Sequence, residues 1–201
     1  MMQAVESKVV IEMSMSLDGF VAGPDDGEEF PNGRDGIKHV FGWLSRAKDE
    51  GGANKAEIDR VYARSGAFIF GRRTYDITGG WGGSHPLTGV PLFILTHRPP
   101  DPDTVPKGHS KIVFVTDGIE SAVRQAKAAA GGKDVMLSGA SPCQQALEAG
   151  VVDEVGIHLA PSLIGSGVRL FEGFKGPIAL EKLYATDGPL ATHIRYRVTK
   201  D

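Results

Sequence analysis

Three short segments place small, hydroxyl and basic residues directly after apolar runs that are typical of buried strands. Backbone N–H groups at a helix start bind phosphate, and arginine and hydroxyl side chains add charge-assisted hydrogen bonds. Together the segments favour a dinucleotide that carries an extra phosphate. Their candidate binding residues are Gly71, Arg72 and Thr74 in "FIFGRRTYD", Thr96 and Arg98 in "FILTHRPP", and Ser138, Gly139, Ala140 and Ser141 in "VMLSGAS".

The third segment runs on into a predicted helix. In "DVMLSGASPCQQALEAG", we predict Ser141 as the helix N-cap, Pro142 as the first helical residue and Gly150 as the residue that follows its end. A turn of small residues leaves the backbone N–H groups of this helix start open to an anion. The pattern therefore predicts a strand, a tight turn and a helix that faces a phosphate.

Strands and helices alternate around these segments. The patterns predict helices from Ile37 to "DEGGAN", a shorter one around Ile58 and one over Ile119–Ala130, and strands over 8–17, 67–71, 91–96, 111–116 and "VVDEVGIHLAP". This order indicates an α/β fold with a mostly parallel central sheet flanked by helices. The closing "IALEKLYATDGPLATHIRYRVTK" predicts an antiparallel C-terminal hairpin. Because ligands bind at the carboxyl ends of parallel strands, the three segments should meet at one crevice.

Composition narrows the class of protein. A chain of 201 residues with 41% hydrophobic residues suits one domain over 1–201. A net charge of −3 without a basic stripe disfavours a nucleic-acid partner. The single cysteine, Cys143, rules out a disulfide framework. The N-terminus lacks a signal-peptide pattern and no apolar run approaches the ~20 residues of a membrane span, so we expect a soluble cytoplasmic protein.

Patterns for other chemistries are missing from the sequence. Neither G-x-G-x-x-G nor G-x-x-x-x-G-K-[ST] occurs, and G-x-S-x-G is absent. The six histidines show no H-x-H or H-x-x-x-H spacing, so we predict no metal site. The acidic cluster Asp25, Asp26, Glu28 and Glu29 is interpreted as a solvated loop rather than a cation site.

Motifs along the chain resemble the dihydrofolate-reductase fold superfamily. In chain order they are "MSLDGFVAG", "GRRTYD", "LTHR", "SGAS", "AGVVDEVGIHLAPSLIGSGVRLF" and "RYRV". Within that superfamily the chain is most similar to the reductase domain at the C-terminus of bifunctional riboflavin-biosynthesis deaminase-reductases and to its stand-alone relatives. The resemblance runs from Val9 to Val198.

The resemblance implies a homodimer that binds NADPH across the strand ends. It also implies a role for each motif residue. These roles are Ala22 near the nicotinamide amide, Gly71, Arg72 and Thr74 at the phosphate backbone, Thr96 and Arg98 at the 2′-phosphate, Thr116 on the adenosine side, Ser138 to Ser141 at the pyrophosphate, and Gly165 and Gly167 on the substrate side.

Two departures from true dihydrofolate reductases disfavour folate reduction. The family carries a Gly-Gly pair at the pyrophosphate turn, where this chain has Gly139-Ala140. Dihydrofolate reductases also place a pterin-binding carboxylate on the first long helix. The matching segment "IKHVFGWLSRAKDE" has no acid before Asp49 and Glu50 at its end.

Few residues remain as candidates for the chemistry itself. Asp18 is the one well-placed acid for proton donation, although it also suits a turn beside Gly19. Trp43 and Trp81 could stack on a flat heterocycle or pack in the core. We therefore expect an NADPH-dependent reductase of a small heterocyclic or ribosylated acceptor. The alternatives are a catalytically silent NADP(H)-binding sensor or regulatory dimer and, more weakly, a structural dimerisation module.

Overall fold

The computed structural model describes residues 7–34, 36–50 and 52–200. Strands and helices alternate through the first three quarters of the chain, which ends in a strand pair. The strands are β1 Val9–Ser16, β2 Phe20–Ala22, β3 Ser65–Gly71, β4 Leu92–Leu95, β5 Ile112–Val115, β6 Asp134–Ser138, β7 Glu154–Ala160, β8 Val168–Arg169, β9 Leu180–Asp187 and β10 Thr192–Val198. The α-helices are α1 Gly36–Val40, α2 Gly42–Glu50, α3 Gly52–Arg64, α4 Arg72–Ile77, α5 Ile119–Ala129 and α6 Ala140–Glu148.

Eight of these strands form one sheet in the order β5-β4-β3-β6-β1-β7-β10-β9. The neighbours from β5 to β7 run parallel, whereas β10 is antiparallel to both β7 and β9. The predicted mostly parallel sheet with an antiparallel C-terminal hairpin is confirmed. Because β5, β4, β3 and β6 are consecutive parallel strands, the turns that follow them lie along one edge of the sheet.

The two faces of β1 differ in polarity. Val9, Ile11 and Met13 pack into the main apolar core, where α5 and α6 supply most of the helical residues. On the other face, Glu12 and Ser14 point toward α2 and α3 and contact buried polar groups of the C-terminal strands. The face of Glu12 and Ser14 is mixed, because Val10 on the same face packs into a second apolar cluster. Successive side chains of the strand alternate between the two faces.

Some predicted boundaries were wrong for physical reasons. The helix expected from Ile37 breaks at Phe41 into α1 and α2, where Gly42, a weak helix former, begins the second helix. The helix around Ile58 is α3, which at 13 residues is longer than either of these two. The short strands β2 and β8, which pair antiparallel, were missed. The side chains of Ile37, Asp49 and Glu50 lie outside the described part of the structure.

The helix after β6 begins earlier than predicted. Gly139, and not Ser141, is the N-cap of α6, with φ at +99°, which glycine adopts without a steric penalty. Ser141 and Pro142 lie in the first turn of the helix. Backbone N–H groups there have no carbonyl partner within the helix, so Pro142, which lacks an N–H, costs no hydrogen bond. Gly150 has φ at +67° and directly follows the C-cap Ala149, as predicted. Within the described residues, no helix combines the length and apolarity that a transmembrane span needs.

Candidate functional site

A cleft of about 1010 Å³ opens at the carboxyl ends of the parallel strands. It is lined from β2, from the turns after β3, β4, β5 and β6, and from the loop before α1. The structure brings together here every residue that the sequence assigned to the cofactor. These are Ala22, Gly71, Arg72, Thr74, Thr96, Arg98, Thr116, Ser138, Gly139, Ala140 and Ser141.

The charges along the cleft favour an anion. Arg72, Arg73 and Arg98 line it together with His97, whereas Asp26 is the one carboxylate among its described lining residues. Guanidinium groups bind phosphate through paired, charge-assisted hydrogen bonds. An excess of arginine in a concave site also raises the local concentration of anionic ligands.

The β6–α6 turn is held close to β1 and α4. The backbone N–H of Gly139 and the hydroxyl of Ser138 both donate to Sδ of Met13, at 3.0 Å and 3.2 Å. A Cβ atom on Gly139 would lie 3.2 Å from Oγ1 of Thr74, and one on Gly71 would lie 3.2 Å from the ring of Pro142. The backbone of the turn therefore packs closely against α4, and glycine at these two positions makes that approach possible.

Arg72 connects two of the predicted phosphate-binding segments. Its Nε atom donates to the carboxylate of Asp76 at 2.8 Å, and its Nη1 atom donates to the backbone carbonyl of Arg98. The hydroxyl of Thr96 accepts from the backbone N–H of Arg98 at 3.1 Å. These bonds fix the turn after β4 against the start of α4. The guanidinium of Arg98 is exposed at the cleft rim.

Asp18, the candidate proton donor, is held by hydrogen bonds to its own turn and to the loop after β7. Its carboxylate accepts from the hydroxyl of Ser16 at 2.6 Å and from the backbone N–H groups of Gly165 at 2.7 Å and Ile164 at 3.1 Å. The Ser16 hydrogen bond foremost, with these backbone bonds, lowers the pKa of Asp18 to about 2. Asp18 does not line the cleft. The geometry assigns it instead to the turn beside Gly19, where it anchors the loop after β7.

The four residues predicted on the substrate side also lie outside the cleft lining. Trp43 is buried, where its indole N–H donates to the hydroxyl of Ser14 at 2.9 Å. Trp81 packs against the ring of Phe70, with ring centroids 4.7 Å apart. Trp43 is therefore a packing residue, whereas Trp81 is only partly buried and packs one part of its ring on Phe70.

Gly165 and Gly167 support the cleft wall from behind. Gly165 donates to Asp18, as described above. Gly167 has φ at +134°, and a Cβ atom there would lie 2.1 Å from the carbonyl oxygen of Ala22. Gly167 thus allows the turn before β8 to approach β2, and its neighbour Val168 reaches the cleft.

Sequence reasoning missed the wall formed by the loop before α1 and by Phe41, which lies between α1 and α2. Asp26, Pro31, Asn32 and Phe41 line the cleft beside Val21. Asp26 is not part of a solvated cluster, because its side chain is 6% exposed while that of Asp25 is 64% exposed. Nothing in the local composition distinguishes these two acids. Only the position of the folded loop does.

A second polar cluster lies under α2 and α3, away from the cleft. Glu12, Glu57 and His158 offer three ligand atoms within 4.8 Å of one another, a grouping that their sequence spacing conceals. The guanidinium of Arg195 lies 2.8 Å from Glu12 and 3.5 Å from Glu57. The Arg195 guanidinium therefore supplies the two carboxylates with the positive charge that a bound metal ion would otherwise provide.

Electrostatic attraction holds that cluster together. Burial alone would raise the pKa of Glu12, but His158 and Arg195 lower it below its usual value. The oxygens of Glu12 lie 2.8 Å from each of these partners at angles unsuited to hydrogen bonds. A buried charge needs such partners, because leaving it alone in the interior costs several kcal/mol, roughly 3 to 5.

The fold and the cleft together define a class of protein. An α/β sheet with this strand arrangement, open at its strand ends to a cleft of small and basic residues, is a dihydrofolate-reductase-like domain. The chain shares its fold with the dihydrofolate reductase from Enterococcus faecalis complexed with NADP(H), at a TM-score of 0.59 and 12% identity, over 97% of this chain and 98% of that one.

The chain belongs to the RibD C-terminal domain family, which it matches over residues 7–187. It is similar in structure to a putative riboflavin biosynthesis protein from Shewanella sp. PV-4, with a TM-score of 0.72, 19% identity and coverage of 96% of this chain and 99% of that one. A Thermotoga maritima deaminase and 5-amino-6-(5-phosphoribosylamino)uracil reductase aligns over 96% of this chain and 57% of its own, with a TM-score of 0.63 and 11% identity.

The chain is also similar to a curated protein of Bacillus subtilis. The Bacillus subtilis (strain 168) protein YwjB is 24% identical over 167 residues, which cover 83% of this chain and 84% of that protein. The resemblance seen in the sequence motifs is therefore confirmed at the level of family and fold.

Proposed function

We propose that this protein is an NADPH-dependent reductase that transfers hydride to a small heterocyclic or ribosylated acceptor. One observation carries the proposal. The eleven residues that the motifs assign to the cofactor, from five separate parts of the chain, line one cleft in which arginine outnumbers carboxylate. Membership of the RibD C-terminal domain family supports a reductase.

The cleft suits the cofactor on chemical grounds. The start of α6 offers the backbone N–H groups of Ala140 and Ser141 to a pyrophosphate, whereas the N–H of Gly139 itself donates to Met13. Arg98 offers a guanidinium to a phosphate monoester at the rim, and the buried Thr96 hydroxyl holds the Arg98 backbone in place through hydrogen bonds to its N–H and carbonyl. Bound NADPH supplies the hydride. The protein's own residues bind, orient and exclude water from the reacting partners.

The acceptor end of the cleft suits a flat, partly apolar molecule. Val21, Pro31 and Phe41 present apolar surface, and Asn32 adds an amide. A mostly apolar pocket with a few polar groups is the usual form of a small-molecule site. The acceptor is therefore proposed to lie between β2 and the loop before α1.

Nucleotide binding by the purified protein tests the proposal. We expect titration calorimetry to give NADPH an affinity at least about tenfold higher than that of NADH, or about 1.4 kcal/mol. Equal affinities for the two cofactors contradict the proposal. Stopped-flow mixing of the NADPH complex with pyrimidine, pterin and carbonyl compounds then separates a reductase from a silent sensor, which binds the cofactor without oxidising it.

We also propose a homodimer. Leu17 and Leu163 are 62% and 74% exposed, and their backbones are close, because the N–H of Leu17 donates to the carbonyl of Ser162 at 2.9 Å. Adjacent exposed leucines are typical of interaction surfaces. Light scattering after size exclusion should give a dimer mass, and Leu163→Glu should shift it to the monomer.

We also propose a cytoplasmic location, which fits the single cysteine of the chain. Cys143 is fully buried on α6, and burial raises the pKa of its thiol. It therefore behaves as a small core residue, as expected in a reducing compartment where disulfides are rare.

A further inference from the structure

Met13 stands where β1 separates from β6. The two strands pair in parallel as far as Ile11, which lies opposite Leu137, whereas β1 and β7 stay paired up to Ser16. Continued in the same register, the pairing with β6 would place Gly139 opposite Met13. The sheet therefore splits at this point, beside the cleft that Met13 lines.

The sulfur of Met13 takes over a hydrogen bond that the ladder between β1 and β6 no longer makes. At the paired end, the N–H of Val135 donates to the carbonyl of Lys8 at 2.8 Å. Such bonds recur every two residues in a parallel ladder, so the N–H of Gly139 would reach a carbonyl of β1 if the pairing continued. It donates instead to Sδ of Met13 at 3.0 Å, and the Ser138 hydroxyl donates to the same atom at 3.2 Å.

Burial makes this sulfur a fixed partner. Met13 is 5% exposed and belongs to the main apolar core. A thioether is a weak acceptor, but a buried N–H without any partner is costly. Met13 therefore determines the direction in which the Gly139 N–H points.

The direction of that N–H decides what the β6–α6 turn offers a ligand. Gly139 is the N-cap of α6, and its carbonyl accepts from the N–H of Cys143 at 3.2 Å. The N–H groups of Ala140 and Ser141, like those of any first turn, have no carbonyl partner inside the helix, and both residues line the cleft. With the Gly139 N–H held on Met13, these two groups are the donors that remain for an anion.

We propose that Met13 is a positioning residue for the cofactor pyrophosphate. Its sulfur holds the peptide between Ser138 and Gly139 against β1, so that the first free N–H groups of α6 face the phosphate end of the cleft. The inference deepens the proposed NADPH site and rests on it. It gives a role in phosphate binding to a side chain that carries no charge and makes no contact with the phosphate itself.

Amide exchange at Gly139 tests the sulfur contact without any ligand. Met13→Leu keeps a side chain of similar volume but removes the acceptor, and cores tolerate swaps of this kind. We expect the Gly139 amide, followed by NMR, to exchange about tenfold faster in Met13→Leu than in the wild type. Met15→Leu is the matched control, because Met15 lies two residues along β1 and outside the cleft lining, and it should leave this amide unchanged. Equal exchange of Gly139 in Met13→Leu and the wild type overturns the proposal.

Three ligands then separate positioning from a general loss of structure. NADPH and NADH both carry a pyrophosphate, whereas adenosine 2′-monophosphate carries only the phosphate monoester. Met13→Leu should raise the dissociation constants of NADPH and NADH by about fivefold each, or about 1 kcal/mol. It should change that of adenosine 2′-monophosphate by less than about twofold. A similar loss for all three ligands overturns the proposal.

Binding by the wild type keeps two failures apart. If the wild type binds neither NADPH nor NADH, the proposed function fails, and the pyrophosphate role of Met13 fails with it. If the wild type binds NADPH and Met13→Leu binds it equally well, the cofactor site stands and the role of Met13 alone is refuted.

Discussion

The Nδ1 atoms of His158 and His193 lie 2.9 Å apart in the buried layer between the sheet and the helices α2 and α3. One of them must donate a proton and the other must accept it. Nε2 of His193 lies 3.0 Å from Oδ1 of Asn54, to which it donates. His193 is then neutral and accepts at Nδ1, while His158 donates there and faces the Glu12 carboxylate with its other nitrogen.

This arrangement predicts lower stability in mild acid. Burial, and then the charge of His158, lower the pKa of His193 from 6.5 to about 4. The unfolded chain takes up a proton below pH 6.5, whereas the folded protein does so only near pH 4. The free energy of unfolding should therefore fall as the pH drops through this window, by on the order of 3 kcal/mol.

Urea unfolding at pH 7.5, 6, 5 and 4.5 measures this loss. Other groups also titrate in this range, so His193→Gln is the control. Glutamine retains a hydrogen-bonding side chain but cannot be protonated, and its curve should be flatter between pH 6.5 and 4. The same slope in both proteins would mean that His193 does not carry the effect.

The sequence predicted the sheet and the convergence of the cofactor segments because both depend on local patterns. A run such as "AFIFG" has the composition of a buried strand, and its neighbours in the chain alternate with helices. Once the sheet is parallel, its geometry alone brings Gly71, Thr96 and Gly139 to one edge. No knowledge of side-chain packing is needed for that step.

Side-chain partners across the fold could not be predicted in this way. Asp25 and Asp26 are adjacent and chemically identical, yet only Asp26 meets Arg73, 47 residues away in sequence. From its residue type alone, Trp43 could either stack on a ligand or pack in the core. The layer beneath it is polar, however, and offers Ser14 as a partner for the indole. Such pairings depend on tertiary placement, which period and composition do not encode.

Gly139→Ala should weaken both the fold and the binding of NADPH. A side chain at φ +99° is strained, and its Cβ atom would lie 3.2 Å from Oγ1 of Thr74. We expect a loss of about 1 to 3 kcal/mol in the free energy of unfolding. Gly131→Ala is the control, since Gly131 has φ at +60° and open space around it. It should lower stability and leave NADPH affinity unchanged. Equal NADPH affinities in the two variants would contradict a phosphate site at the β6–α6 turn.

Trp43→Phe should affect stability and spare the cleft. The change removes the indole donor, leaves the Ser14 hydroxyl buried without this partner, and opens a small cavity. We expect a cost of about 2 to 3 kcal/mol in chemical denaturation. NADPH affinity should stay within about twofold of the wild type, or about 0.4 kcal/mol. A large loss of affinity without a loss of stability would instead indicate that Trp43 contacts the ligand.

Arg98→Met should remove the preference for the phosphorylated cofactor. Methionine retains an unbranched apolar stem but has no guanidinium for the 2′-phosphate. We expect the dissociation constant for NADPH to rise at least about tenfold and that for NADH to change little, a difference of about 1.4 kcal/mol. Arg124→Met, at the opposite end of the sheet, should leave both constants unchanged. Parallel losses for NADPH and NADH in Arg98→Met would show that this arginine does not read the 2′-phosphate.

Asp18→Asn should alter the loop after β7 rather than the protonation step. The wild-type carboxylate accepts from Ile164 and Gly165, and its pKa of about 2 keeps it ionised at any working pH. Since its folded pKa lies below the unfolded value of 3.8, its stabilisation is fully present above pH 3.8 and is lost as the pH falls toward 2. The melting temperature of Asp18→Asn should therefore lie below that of the wild type at pH 7, and the gap should narrow in acid.

With any acceptor that the protein reduces, the pH–rate profile of Asp18→Asn should keep the shape of the wild-type profile. If the variant instead loses an ionisation between pH 5 and 9, Asp18 is the proton donor after all.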